Sequence, residues 1–307
     1  MSLSIDWLSH LLDLVPVRGQ LELRCLYGAP WHVVYEESPP GEMPYHVILS
    51  GSALLDGPAD GPNRLDQGDI LLMTHGGAHR LHDGGGKRPE PAYQSPRLNL
   101  ILSENGGTGQ RLDMLCGRFA VPAAYQRWMQ LYLPSHLVVR TGSASQLAAL
   151  VSLMRHESAA DTLGGHAMLN ALSTAMFTLA LRLASETHDP PQGLLALAGN
   201  PRLVPVLAAL FGDPAHPWTL PELASLAHMS RASLARHVQR ALGRSLNDLL
   251  TDIRMTLAAR KLGDPALSTG AVAEEVGYQS EAAFQRAFKL HMGVTPAAWR
   301  RRMRQKI

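Results

Sequence analysis

From about Leu21 to Phe119 the apolar residues gather in short β-prone runs, WHVVYEE, YHVILSGSALL, DILLMT, RLNLILS and LDMLCGRF, separated by turn residues. Such spacing predicts a barrel or sandwich. Two glycine-rich interruptions, His82 to Gln94 and Glu104 to Gln110, read as flexible loops. The pattern then changes. Leu147, Leu150, Val151 and Met154, and after them Met168, Leu169, Leu172, Met176, Leu179 and Leu183, recur at helical spacing and predict two amphipathic helices. Their stripes either cover the sheet or pair with a second subunit, and a homodimer is the expectation carried forward. Glu186 to Gly193, polar and proline-containing, predicts a linker.

Further along, the pattern repeats itself. An offset of 50 residues superposes Ser230 on Ser280, Ala232 on Ala282, Leu234 on Phe284, Arg236 on Arg286, Val238 on Phe288, Gly243 on Gly293 and Ser245 on Thr295. Two copies of one helix, turn, helix unit are implied. In the first, Thr219 to Glu222 forms a capping box, His228 to Ser230 the turn, and Arg231 to Leu242 a helix burying Leu234, Val238 and Leu242. The second copy runs from Ala271 to Val276, turns at Gly277 to Gln279, and continues from Ser280 to about Met292. Between them, Ser245 to Leu262 reads as one helix of about 27 Å, a stiff spacer able to set two helices into successive major-groove faces.

Opposite each buried stripe lies an exposed face, with Arg231, Ala232, Ala235, Arg236, Gln239 and Arg240 in the first copy. The second offers Gln279, Glu281, Ala282, Gln285, Arg286 and Lys289. Small residues let a helix approach the floor of the major groove, and arginine makes two hydrogen bonds to guanine, so Arg236 and Arg286 are the expected base readers. Arg231, Arg240, Lys289, Arg300, Arg301, Arg302 and Arg304 are expected on phosphates. The charge balance agrees: residues 1–198 hold 13 Lys and Arg against 18 Asp and Glu, and residues 199–307 hold 15 against 8. A basic module joined to an acidic one suits a polyanionic partner.

Residues 200 to 304, with Ala273-Glu-Glu-Val-Gly-Tyr-Gln-Ser280, Phe284-Gln-Arg-Ala-Phe-Lys289 and Gly293-Val-Thr-Pro-Ala-Ala-Trp-Arg300, resemble the DNA-binding domain of the AraC/XylS transcription regulators. The resemblance implies seven helices, double-stranded promoter DNA as partner, and RNA polymerase as a further partner for an activator. Tyr45 to Gly51 and Gly68 to His79 resemble the cupin-like sensor domain of a subset of that family. The expected fold is therefore α+β: a cupin-like β-barrel with flanking helices, then an all-α domain with two helix-turn-helix units. The expected organisation is a sensor over 1–143, a helical segment over 144–188, a linker over 189–199 and the DNA-binding domain over 200–307.

The chain has two cysteines, Cys25 and Cys116, too few for a disulfide-stapled secreted domain. With no basic, apolar leader and no run of eighteen apolar residues, a cytoplasmic protein off the membrane is expected. Their placement resembles the regulators that sense reactive chlorine species, which implies oxidation at Cys25 or Cys116 as the signal. Arg24 and Arg118 lie close in sequence and would favour a thiolate; small apolar filler is the competing reading of both thiols. A small-molecule pocket closed by Trp31 and Tyr45 is the alternative sensor. Metal-binding cupins carry a fuller ligand set than is present, so no cofactor is expected, and His46, His75, His79 and His82 are the only candidates for a reduced metal site. No nucleophile elbow, phosphate loop or zinc-protease motif appears, and an enzyme is not expected.

Overall fold

A computed structural model describes residues 6–57, 64–141 and 145–304. Helix α1 (Trp7–Leu14) precedes ten strands: β1 (Arg18–Gly28), β2 (His32–Tyr35), β3 (Glu42–Ser50), β4 (Ser52–Asp56), β5 (Arg64–Asp66), β6 (Asp69–Leu72), β7 (His79–His82), β8 (Ala92–Pro96), β9 (Ile101–Asn105) and β10 (Arg111–Ala120). Then come α2 (Gln126–Tyr132), β11 (Leu137–Arg140), α3 (Ser145–Ala159) and α4 (Gly165–Ser185). The remainder is helical: α5 (Leu194–Ala198), α6 (Val204–Gly212), α7 (Leu220–Leu226), α8 (Arg231–Leu242), α9 (Leu246–Lys261), α10 (Thr269–Glu275), α11 (Glu281–Met292) and α12 (Pro296–Arg304). The α+β class is as the sequence implied.

Val17–Pro191 form one compact unit. Its seven-stranded sheet runs β11-β6-β3-β10-β1-β9-β8 and its four-stranded sheet runs β2-β7-β4-β5. Period two sends Leu112, Met114 and Cys116 of β10, and Cys25 and Tyr27 of β1, into the interior, where they meet Leu55, Leu65 and Leu81 of the smaller sheet. The outer face of the larger sheet is covered by α4. Residues 18–21 of β1 pair with β10 on one side only, since β9 joins at Leu23. Their free N–H groups are satisfied by the helix: Gly19 N–H donates to Thr174 Oγ1 at 2.9 Å and Leu21 N–H to Asn170 Oδ1 at 3.1 Å. So close is this approach that a Cβ on Gly19 would lie 2.5 Å from the Thr174 nitrogen. Among the described residues α4 is the one helix long and apolar enough to cross a membrane, and it buries Leu169, Met176, Phe177 and Leu181.

Two boundaries differ from the sequence reading. Trp7–Leu14, placed with the sensor, clusters with residues beyond 192 instead. Trp7, Leu8, Leu11 and Leu14 form a buried stripe, Trp7 meets Phe211 with ring centroids 6.4 Å apart, and the Arg260 guanidinium bonds the Asp13 carbonyl. The segment 189–199, read as linker, contains α5, whose Leu194, Leu195 and Leu197 are buried. Part of the predicted loop from His82 to Gln94 is taken up by β8.

In this second unit α6 to α12 are the seven helices implied by the resemblance, with α5 ahead of them. α7 and α10 are equal in length and offset by 49 residues, whereas α8 and α11 are offset by 50. The first turn is thus one residue shorter, and in both turns the second residue after the helix is left-handed, His228 at φ 50° and Gly277 at 84°. Gly277 also lies against backbone, with Ala215 Cα 2.9 Å from where a Cβ would stand. We expect Gly277→Ala to destabilise the helical unit by roughly 2 kcal/mol, through strain and overlap together. Urea unfolding of the full chain checks this, and an unchanged midpoint would refute it.

Candidate functional site

The two candidate reading helices begin on matching caps: Ser230 Oγ accepts from Ser233 N–H at 3.2 Å and Ser280 Oγ from Ala283 N–H at 3.3 Å. Over their first ten residues α8 and α11 show the same succession of exposed, half-buried and buried positions. Leu234 and Val238 in one, and Phe284 and Phe288 in the other, are the buried anchors. All twelve residues expected at DNA are exposed. Gln285 Nε2 donates to Glu281 Oε1 at 2.8 Å, so these two hold each other across one helical turn. The sequence reading passed over Leu290, 87% exposed on the same face, in the position that Arg240 occupies in α8.

Of the arginines expected on phosphates, Arg300 is engaged within the unit, donating to the Leu267 carbonyl at 2.8 Å and the Asp264 carbonyl at 3.1 Å. Arg301 and Arg302 are exposed, and the Arg304 side chain lies outside the described residues. The spacer α9, 16 residues and about 24 Å long, is fastened at several points. Arg254 donates to the Pro214 and His216 carbonyls at 2.6 and 2.9 Å, and Trp299 Nε1 to Ala259 O at 2.9 Å. Asp252, 1% exposed, meets Arg244 just beyond α8 at 3.3 Å and His291 of α11 at 3.2 Å. One carboxylate therefore ties the spacer to both candidate reading helices.

In the sheet unit, the register β1·β10 pairs Cys25 with Met114 and Leu23 with Cys116, so the two cysteines are diagonal neighbours on one face. Their sulfurs are 3.9 Å apart, buried and not joined in a disulfide. On the other side β10·β3 sets His46 opposite Cys116. His46 Nδ1 lies 3.3 Å from Cys116 Sγ and its Nε2 2.8 Å from His79 Nε2, while His79 Nδ1 lies 3.0 Å from the Gly77 carbonyl. Tyr35, which sequence reasoning missed, stacks on His79 at 4.8 Å and donates its hydroxyl to Cys116 Sγ at 3.5 Å. Its place in the WHVVYEE run marked it as a strand residue, and the register that sets it opposite His79 emerges only on folding.

The hydrogen bond with Cys116 draws the Cys25 thiol below the usual thiol range, against its burial. Burial pushes Cys116 well above that range, and an ionised Cys25 would push it further. Burial holds His46 well below the usual histidine range, with His79 adding to the effect, and burial also lowers His79.

Several expectations are corrected by this geometry. Strand alternation turns Arg24 away from the thiols into a bidentate pair with Asp113, at 3.0 and 2.8 Å, and Arg118 pairs with Glu22 and Glu42. Trp31 lies in the interior, but Tyr45 faces α4, with its hydroxyl 2.7 Å from Ser173 Oγ and its ring stacked on Phe119, so the two close no common pocket. The four histidines do not converge: His75 Nε2 lies 3.0 Å from Leu133 O and His82 Nε2 3.2 Å from Asp56 Oδ1. Among the described residues no group of three or more His, Cys, Asp or Glu is arranged to hold a metal ion.

Comparison with known proteins finds a family for each part of the chain, the first reaching over helix α1 as well. A cupin family matches residues 6–186 and a helix-turn-helix domain matches residues 223–302. The chain belongs to the AraC-type helix-turn-helix regulators with an N-terminal cupin domain, and is a transcription regulator with an AraC-type DNA-binding domain. It is 30% identical to an uncharacterized HTH-type transcriptional regulator of Haemophilus influenzae, over 97% of this chain and 99% of the other. With RclR of Escherichia coli K12, described as an RCS-specific HTH-type transcriptional activator, it shares 28% over 98% and 99%. With the HTH-type transcriptional regulator MtrA of Neisseria gonorrhoeae it shares 30% over 98% and 100%.

Removing the shared carboxylate leaves Arg244 and His291 without it at once. We expect Asp252→Ala to destabilise the helical unit by roughly 3 kcal/mol, the lower end for a broken buried pair because Arg244 retains some access to water. Urea unfolding of the full chain measures it, and an unmoved transition would show that the carboxylate holds neither helix.

Proposed function

We propose that this regulator senses oxidants through Cys25 and Cys116 and reads DNA with Arg236 and Arg286. The observation that carries the sensing half is the pair of sulfurs, 91 residues apart in sequence yet 3.9 Å apart in the core. To form a disulfide they need to close by about 2 Å. The likeness to an activator described as RCS-specific supports hypochlorous acid as the oxidant. Burial supports the same choice, since a small neutral oxidant enters an apolar core at far less desolvation cost than a charged or bulky one.

The Cys25 thiolate attacks chlorine, giving a sulfenyl chloride and releasing hydroxide, which takes up the proton Cys25 had lost and leaves as water. Cys116 then attacks the Cys25 sulfur, the S–S bond forms, the S–Cl bond breaks, and chloride and one proton leave. Each sulfur loses one electron and chlorine gains two. Closure draws β1 towards β10, and the bonds from Gly19 and Leu21 to α4 carry that movement onward. Homodimerisation through residues 144–188 and contact with RNA polymerase belong to the same reading.

Cys25→Ser and Cys116→Ser are each expected to bind promoter DNA as the reduced parent does and to lose the change in binding that hypochlorous acid produces. Oxidised glutathione, bulky and charged, should leave the parent reduced. A full response to hypochlorous acid in both variants would reject thiol sensing.

For DNA, Arg236→Ala and Arg286→Ala should each cost about 1–3 kcal/mol at one base position and relax the preference there, as selection from random duplexes would report. Arg301→Ala should instead weaken all sequences alike and flatten the salt dependence. Uniform weakening by all three variants would remove the base-reading assignment.

A further inference from the structure

The hydrogen bonds around the thiols have a fixed direction. The Gly77 carbonyl only accepts, so His79 carries its proton on Nδ1 and presents a bare Nε2. At 2.8 Å from that lone pair, His46 Nε2 carries the proton, which leaves His46 Nδ1 bare and facing Cys116 Sγ at 3.3 Å. Cys116 donates its S–H there, and its sulfur accepts from the Tyr35 hydroxyl at 3.5 Å and lies 3.9 Å from Cys25. From Cys116 through His46 and His79 every donor points the same way, ending on a backbone oxygen. Apolar residues surround it: Ile48, Leu71, Met73, Leu81 and Met114 belong to the same interior cluster. Strand pairing holds the donors and acceptors in place, Cys116 to His46 across β10·β3 and Tyr35 to His79 across β2·β7.

We propose that His46 is the base that removes the Cys116 proton as the disulfide closes, and that His79 relays it. As the Cys116 S–H bond breaks, its proton passes to His46 Nδ1, the His46 Nε2 proton passes to His79 Nε2, and the electron pair left on Cys116 sulfur attacks Cys25. The positive charge comes to rest on His79, whose Nδ1–H already points at a carbonyl dipole, and His46 ends neutral with its tautomer reversed. Without such a base the attacking thiol would have to ionise unaided in the core, which its burial opposes. This inference rests on the oxidant-sensing reading and adds to it the group that makes the second step fast.

The ionisable groups acting on the cluster are Cys25, Tyr27 and Glu22 on β1, Tyr35 on β2, His79 on β7, and Cys116 and Asp113 on β10. Both histidines have lowered pKa values, so the neutral, proton-accepting form is present through the neutral range and is lost only on acidification.

The test follows the two steps separately in the full-length protein, using rapid mixing with one equivalent of hypochlorous acid, acid quench, and mass spectrometry of Cys25 and Cys116. In the parent, closure should be fast and flat with pH around neutrality. His46→Asn keeps a hydrogen-bond acceptor but no base, and should leave Cys25 oxidation unchanged while slowing closure about 100-fold. Its closure rate should rise tenfold per pH unit, because it then follows the thiolate fraction of Cys116. His79→Gln keeps an acceptor for His46 Nε2–H but takes up no proton, and should slow closure in the same direction; it carries the test should His46→Asn fail to fold. Parent-like closure with a flat pH profile in a folded variant overturns the relay and leaves the thiol sensor standing. If the parent itself forms no Cys25 to Cys116 disulfide, the sensor reading falls first, and the relay with it.

Discussion

The arrangement of the sheet unit depends on the register of β10 between β1 and β3. On one side it sets Cys116 diagonal to Cys25, and on the other it sets His46 opposite Cys116. Because side chains alternate, a slip of one residue on either side would turn that partner to the outer face, beneath α4. Several contacts hold the register: the Arg24 to Asp113 pair, with both side chains nearly buried, and the two bonds from β1 to α4. The arginine that sequence proximity suggested as a thiolate's partner thus contributes by positioning its strand. The thiols are perturbed instead by the hydrogen bond between them and by their burial.

In the helical unit a similar economy operates. Duplication supplies two helices with one burial pattern, and α9 reaches the residue just beyond the first and the last turn of the second. Its buried Asp252 faces Arg244 and His291 from the two copies. Phe284, Phe288 and Trp299 follow one another in tilted and edge-on contact beneath the second copy, whereas Leu234 and Val238 serve the first. The second anchorage is the more aromatic, although the exposed faces correspond. Arg236 and Arg286, 50 residues apart, occupy equivalent exposed positions on supports of different chemistry.

Much of this was legible in the sequence for a physical reason: local periodicity records which face is buried. The run Leu112 to Phe119 is β-prone between turn residues, and β10 forms; Leu234 and Val238 recur every four residues, and α8 forms. The two-copy pattern exposed the DNA face because an offset compares like with like. What stayed hidden was pairing across distance. Nothing local marks His46 as the neighbour of Cys116, 70 residues away, or separates it from His75 and His82, which turn to other partners. Nor does a strand pattern tell which face of the sheet receives Tyr45 and which Trp31. The short helix Trp7–Leu14 shows an apolar stripe, but its partner Phe211 is 204 positions further on in the chain.

That last pairing changes how the protein can be cut. The sheet unit is an insertion, entered after Pro16 and left after Pro191, inside a unit whose first helix precedes it. Grafting a different sensor at a single junction near residue 190 would carry away Trp7 and strip an apolar patch around Phe211, inviting aggregation of the grafted product. A chimera that respects the architecture needs two seams, leaving Trp7–Leu14 with the helices it covers.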